Sequence, residues 1–208
     1  MTFLRGLLSQ TPAATQIPEP PIARFLFADT RMAWFWVVVR VYVGWQWLEA
    51  GLEKFESPAW IGGKAGTALT GFVNGALGKT AGAHPDVTGW YANILQGFVL
   101  PNAVVFSYLV TFGEILIGLG LIFGCLTGVA AFFGSFMNAN FLFAGTVSIN
   151  PVLFVLATWL VLAWRVAGYF GLDFFVLPAL GTPWAPGRIT HPERPIASVP
   201  APVASGHG

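Results

Sequence analysis

Four ionisable side chains lie inside long apolar stretches of this sequence: Arg40, Glu49, Glu114 and Arg165. A charge in apolar surroundings is costly unless it is paired or hydrated, so each needs a physical reason to be there. Counted from the helix end on the side of the chain termini, Arg40 is nine residues from Arg31, Glu114 ten from Gly124 and Arg165 eight from Asp173. At about 1.5 Å per residue these depths agree to within about 3 Å. The expected arrangement is therefore one layer, with Glu114 held between two guanidinium forks. Such a layer carries one surplus positive charge and suits an oxyanion or the carbonyl oxygen of a quinone. A structural ion-pair network, or an Arg165 that snorkels to the surface, fits the same residues.

Glu49 is half a turn round the helix from Arg40 and is expected near its outer end. With Glu53 one turn further on, it makes either a proton inlet or two solvated helix-end acids. Asn138 and Asn140 sit mid-segment, where an amide serves as a cross-helix hydrogen-bonding group or a ligand contact. Trp45, Trp47, Phe141 and Phe143 could wall an aromatic pocket or simply pack.

The elements that must position these groups follow from composition. The chain has 208 residues, 55% hydrophobic and only 9% charged, which places it outside the soluble class. Four stretches are long and apolar enough for helices across a ~30 Å bilayer core: about 32–52, 103–124, 127–146 and 151–172. The second and third form one apolar run, broken by the hairpin Gly124-Cys125-Leu126-Thr127-Gly128. The fourth begins at Pro151, a residue suited to the first turn of a helix. Residues 56–101 are too polar to cross and too aromatic for a free linker. They predict a cap with short helices at about Thr67–Leu77 and Asp86–Val99. The segment 1–30 and the Pro-rich tail 183–208 lie outside the membrane domain, 31–182.

The fold class expected is thus an all-α integral membrane protein, a bundle of four transmembrane helices with that cap between the first two spans. Arg5, Arg24, Arg31, Arg188 and Arg194 fall on the side of the termini, against Lys54, Lys64 and Lys79 on the other. The basic-residue rule then predicts a multi-pass protein of the bacterial cytoplasmic membrane with both termini cytoplasmic. The first span is expected to target the chain, with no separate cleavable signal.

Several chemistries are not expected. A single cysteine, Cys125, excludes an internal disulfide and a CxxC pair. His84, His191 and His207 all lie in polar or Pro-rich stretches, so neither a bis-His haem within the membrane nor a metal site is expected. A net charge of +1 without a Lys/Arg run argues against nucleic acid.

Four runs of residues carry a resemblance. They are Arg40 to Lys54 with Gly44, Trp47, Glu49 and Gly51; Phe112-Gly113-Glu114 to Gly118; Gly134 to Phe141 with Asn138; and Asn150-Pro151 followed by Ala163 to Arg165. Over about Arg31 to Trp184 the chain resembles the DoxX family, and more narrowly its DoxD-type members, the large subunits of thiosulfate:quinone oxidoreductase. The resemblance implies a four-helix membrane subunit that works with other membrane or redox subunits and passes electrons from thiosulfate to quinone as a substrate. On that reading Arg40, Glu114, Arg165, Trp47 and Asn138 surround the quinone or substrate, and Glu49 and Glu53 serve a proton path. A non-catalytic accessory or assembly subunit is the alternative. A small-solute transporter ranks third, since no inverted repeat is visible.

Overall fold

The computed structural model describes residues 19–181, and all regular structure among them is helical. In chain order the helices are α1 (Pro21–Ala28), α2 (Ala33–Glu56), α3 (Thr67–Leu77), α4 (Gly89–Ile94), α5 (Ala103–Phe123), α6 (Thr127–Phe143), α7 (Asn150–Leu162), α8 (Trp164–Ala167) and α9 (Asp173–Ala179). The Pro-rich tail expected over 183–208 lies outside the described residues.

The bundle is built on close backbone approach. A stripe on α2, Arg40, Gly44, Trp47, Gly51, repeats at spacings of four and three, the period of one helix face, and all four residues are buried. α2 runs antiparallel to α5 along this stripe. A Cβ on Gly44 would lie 2.9 Å from that of Leu121, and one on Gly51 would lie 3.1 Å from that of Glu114. α5 then meets α6 where Gly120 faces Ala130, and α6 meets α7 where Ser135 and Thr158 share a 2.8 Å hydroxyl hydrogen bond. The hairpin expected at Gly124 to Gly128 is present. α5 ends at Phe123, Gly124 takes φ +64°, and Cys125 N–H donates to Gly120 O.

Two expected boundaries are corrected. No break separates the cap from α5, because Gly89–Phe123 is one helical run of 35 residues. Pro101 is absorbed inside it: the ladder widens to a π turn over Leu95–Val99, and the Asn102 amide donates to Phe98 O. The helix expected over 151–172 ends at Leu162. The chain turns at Ala163, forms the short α8, and folds back so that Leu172 N–H and Asp173 N–H donate to Phe123 O and Gly124 O. A tertiary bond to the α5–α6 turn thus competes successfully with continued helix.

Two apolar cores result. One, around Trp36, Val43, Trp47, Leu121, Leu153 and Leu160, fills the bundle; the other, around Leu69, Val73, Val87, Tyr91 and Leu95, ties the cap to the bundle's end. The outer faces are apolar as well. Leu109, Leu116, Phe132, Phe136, Val152 and Trp159 are all exposed, a belt that water would penalise and that gives the chain helical membrane-protein character. By length and composition, Gly89–Phe123 is the helix among the described residues that is long and apolar enough to cross a bilayer. It has mean hydropathy 2.0, and Asn150–Leu162 is apolar but shorter.

Candidate functional site

The charges do not form one layer. Glu114, buried to 1% exposure, pairs with Lys54: Nζ donates to Oε2 at 2.7 Å. Arg40, equally buried, lies instead against the α5–α6 turn, where its Nη2 donates to Phe170 O at 3.1 Å. Arg165 donates to the Glu19 carboxylate on the surface, the snorkelling alternative. The expected layer of Arg40, Glu114 and Arg165 is therefore overturned. The depth count set Arg31 level with Gly124, whereas α2 begins well beyond that turn. Arg40 itself is level with Gly124, and Glu114 lies ten residues along α5, about 15 Å away.

Two polar clusters replace the layer. In the first, Lys54 continues the α2 stripe one step past Gly51. It touches Ala50 O and lies 5.3 Å from the centre of the Trp60 ring. Two further hydroxyls from α5 bond within this wall, Ser107 to Trp60 O at 2.6 Å and Thr111 to Ser107 O at 2.9 Å. Facing them on α6 are Gly134 and, one turn on, Asn138. A Cβ on Gly134 would stand 3.2 Å from Trp47 Nε1. The Trp47 indole N–H and both amide atoms of Asn138 are buried without a hydrogen-bond partner. Buried polar groups are nearly always satisfied, so orphan atoms on α2 and α6, on the helices that flank the part-buried Lys54–Glu114 pair, mark a place able to take something polar. Trp47 stacks on Phe141 at 6.3 Å, and Phe141 meets Phe72 of the cap at 6.1 Å. An aromatic wall thus runs from this cluster to the cap.

The second cluster is at the opposite end. Asp173, fully buried, accepts from Leu126 N–H at 2.6 Å and Thr127 N–H at 2.8 Å. A carboxylate on the first amides of α6 is favoured by the helix dipole as well as by the bonds. Arg40 lies close enough to interact with Asp173 electrostatically, and its Nη1 fills the space that Gly124 and Gly171 leave by lacking side chains. Arg40 Nε and Nη1 and Thr127 Oγ1 are buried here without a hydrogen-bond partner. A cleft of about 430 Å³ lined by Tyr169, Phe170, Gly171, Phe174 and Phe175 opens on this end, and no ionisable side chain but Tyr169 lines it.

Of the residues expected at a site, the structure brings Glu114, Trp47 and Asn138 to one region and leaves Arg40 and Arg165 out of it. Glu49 and Glu53 are both exposed and make no hydrogen bond to the ion pair. Glu49 is not near the outer end of the bundle. It lies two residues from Trp47, level with Gly134. Lys54, Trp60 and Asp173 were missed. The α2 stripe, extended by one more step of three, points to Lys54; no local signal in the sequence points to Asp173.

No curated protein and no solved structure matched the chain. The family model for DoxX matches residues 35–147, more than half of the sequence. That stretch holds the Lys54–Glu114 pair, Trp47 and Asn138, and it stops short of Asn150-Pro151 and Arg165. The chain, with its helical bundle, apolar outer belt and paired charge between α2 and α5, belongs to the DoxX family.

Proposed function

We propose that this chain is the membrane subunit of a quinone-linked oxidoreductase, with the quinone head group taken up beside the Lys54–Glu114 pair. Membership of DoxX, a membrane-associated family often linked to quinone oxidoreductase subunits, supports the class. The observation that carries the site is the part-buried ion pair between α2 and α5, with unpartnered polar atoms of Trp47 on α2 and Asn138 on α6 in the same region.

A quinone presents a flat ring and two carbonyl oxygens. Trp47 and Phe141 supply flat apolar walls, and Lys54 Nζ, Asn138 Nδ2 and Trp47 Nε1 are the donors for the oxygens. Reduction to the quinol adds two electrons and two protons, and Lys54 and Glu114 are the side chains at hand to pass protons. The electrons come from a second substrate or a partner subunit. Thiosulfate, two ions of which join as tetrathionate with loss of two electrons, is the donor that the DoxD resemblance supplies. In this reading α2, α5, α6 and α7 with α8 cross the bacterial inner membrane with both termini cytoplasmic. Support for the spans comes from the exposed apolar belt, and support for the orientation from the sequence count of Arg5, Arg24, Arg31, Arg188 and Arg194 on the side of the termini against Lys54, Lys64 and Lys79 on the other.

The test is a titration of the purified protein in mild detergent with a short-chain quinone, read by tryptophan fluorescence, alongside an inventory of quinone that co-purifies. Lys54→Met and Asn138→Leu should each weaken binding about tenfold, a loss of about 1.4 kcal/mol. Unchanged affinity in folded variants would replace this reading with the accessory or assembly subunit.

A further inference from the structure

Glu49 is placed where a lone carboxylate is hard to explain. Its neighbour Leu48 packs on Gly118 of α5, and Trp47, two residues away, faces Gly134 of α6. Gly134 adjoins Ser135, which bonds Thr158 of α7. Residue 135 is the midpoint of α6, and Thr158 is two residues from the midpoint of α7. Glu49 is thus at the middle depth of the bundle. It is exposed, and so are Val38, Tyr42, Trp45 and Leu52 along the same outward face of α2. An acid at that depth, pointing away from its own bundle, would face hydrocarbon. Ionisable residues in that position are found paired, or lining an interior.

We propose that this face of α2 docks a transmembrane helix of a partner subunit that carries a basic side chain at mid-span, opposite Glu49. The inference rests on the reading that α2 crosses the bilayer. A second copy of this chain does not fit, because its described basic residues offer no cation at that depth. Lys54 is held by Glu114, Arg40 is buried, Arg165 pairs with Glu19 at one end, and Lys79 donates to Gly145 O in the cap. Lys64 lies in the cap too, and Arg24 and Arg31 lie before α2 begins. Charge complementarity therefore requires a foreign helix. Trp45 and Tyr42, one and two turns before Glu49, supply the rigid aromatic contact area typical of such interfaces.

The experiment places a photoreactive benzoylphenylalanine at Trp45 in native membranes and identifies the adduct peptide by mass spectrometry. The expected adduct is an apolar helix of another protein with Lys, Arg or His within one turn of the cross-link. Glu49→Lys should lower the yield about tenfold or more, and changing the partner's base to Glu should restore it. The purified Glu49→Lys protein should keep its melting temperature and its quinone affinity, since Glu49 has no hydrogen-bond or ion-pair partner among the described residues. Adducts with lipid alone, with a second copy, or with a helix lacking a base would overturn the proposal. Preferential labelling of Glu49 by a water-soluble over a hydrophobic carbodiimide in intact membranes would instead remove the membrane reading beneath it. Failure of quinone binding in the purified protein would touch only the redox site.

Discussion

The two buried charge clusters sit at opposite ends of the α2–α5 contact and handle charge differently. Beside the α5–α6 turn, Arg40 and Asp173 spend their hydrogen bonds on backbone groups: Phe170 O, Leu126 N–H and Thr127 N–H. They clamp three chain segments, and two glycines make room for the guanidinium. Near the cap, Lys54 and Glu114 bond to each other. Both clusters also leave buried polar atoms without a partner, Arg40 Nε and Nη1 and Thr127 Oγ1 at the turn and Trp47 Nε1 with the Asn138 amide toward the cap. What separates them is that the bonds made at the turn tie backbone from several chain segments, which holds the fold, whereas Lys54 and Glu114 bond side chain to side chain. Substitutions at the first should therefore cost stability without changing ligand affinity, and those at the second should separate the two.

The largest effect is expected at Gly124. A Cβ there would overlap Arg40 Nη1, and φ +64° already disfavours any side chain. Gly124→Val should destabilise by about 4 kcal/mol or leave no folded protein, read as detergent melting temperature. Gly124→Val combined with Arg40→Ala should recover part of the loss, because the overlap with the guanidinium is gone while the backbone strain, the 3.1 Å approach to Gly171 Cα and the lost Arg40–Phe170 bond remain.

Next is Glu114→Gln, which leaves the Lys54 cation without its carboxylate and should cost about 3 kcal/mol. The double variant with Lys54→Met should melt above the single one. Equal melting of the two would mean that the pair is not direct.

Asp173→Asn keeps the shape but gives up charged acceptance from two amides, a loss of about 2 kcal/mol. Its quinone affinity should equal that of the unaltered protein. A joint loss of stability and affinity would break the separation between the clusters.

Asn138→Leu removes an amide with no partner and should leave stability within about 1 kcal/mol or raise it. It should still weaken quinone binding, which is the clearest contrast with Asp173→Asn.

The smallest effect is outside the bundle, at the Asp29–Arg31 turn. The Arg31 guanidinium, bonded to the Asp29 carboxyl, holds its pKa at about 2 against an ordinary 3.8. A depressed acid stabilises the fold above its ordinary pKa and loses that contribution as pH falls through its folded value, here between about 4 and 2. Asp29→Asn should flatten the melting temperature over that window and change nothing near neutral pH. The pair is solvent-exposed, so the shift is slight.

Most of the architecture follows from local rules. Apolar run length and glycine spacing place α2, α5 and α6, and the Gly124 to Gly128 break places the hairpin, because each depends on residues close in the chain. The small-residue stripes predict contact faces: Gly120 meets Ala130, and Gly134 meets Trp47. The DoxX resemblance likewise rests on residues quoted from single helices. Register between helices is not local. Whether Arg40 is level with Glu114 or with Gly124 depends on how far α2 overshoots the turn, and no residue within α2 encodes that distance. The end of α7 at Leu162 has the same origin. A continuous apolar pattern allows a longer helix, and only the bonds from Leu172 and Asp173 to a turn some 49 residues earlier in the chain bend it back. Amino-acid types alone thus determined that charges would be buried in a helical bundle. Which charges meet, and which polar atoms are left free beside them, was decided by packing, since ion pairs form across distances that only the assembled helices set.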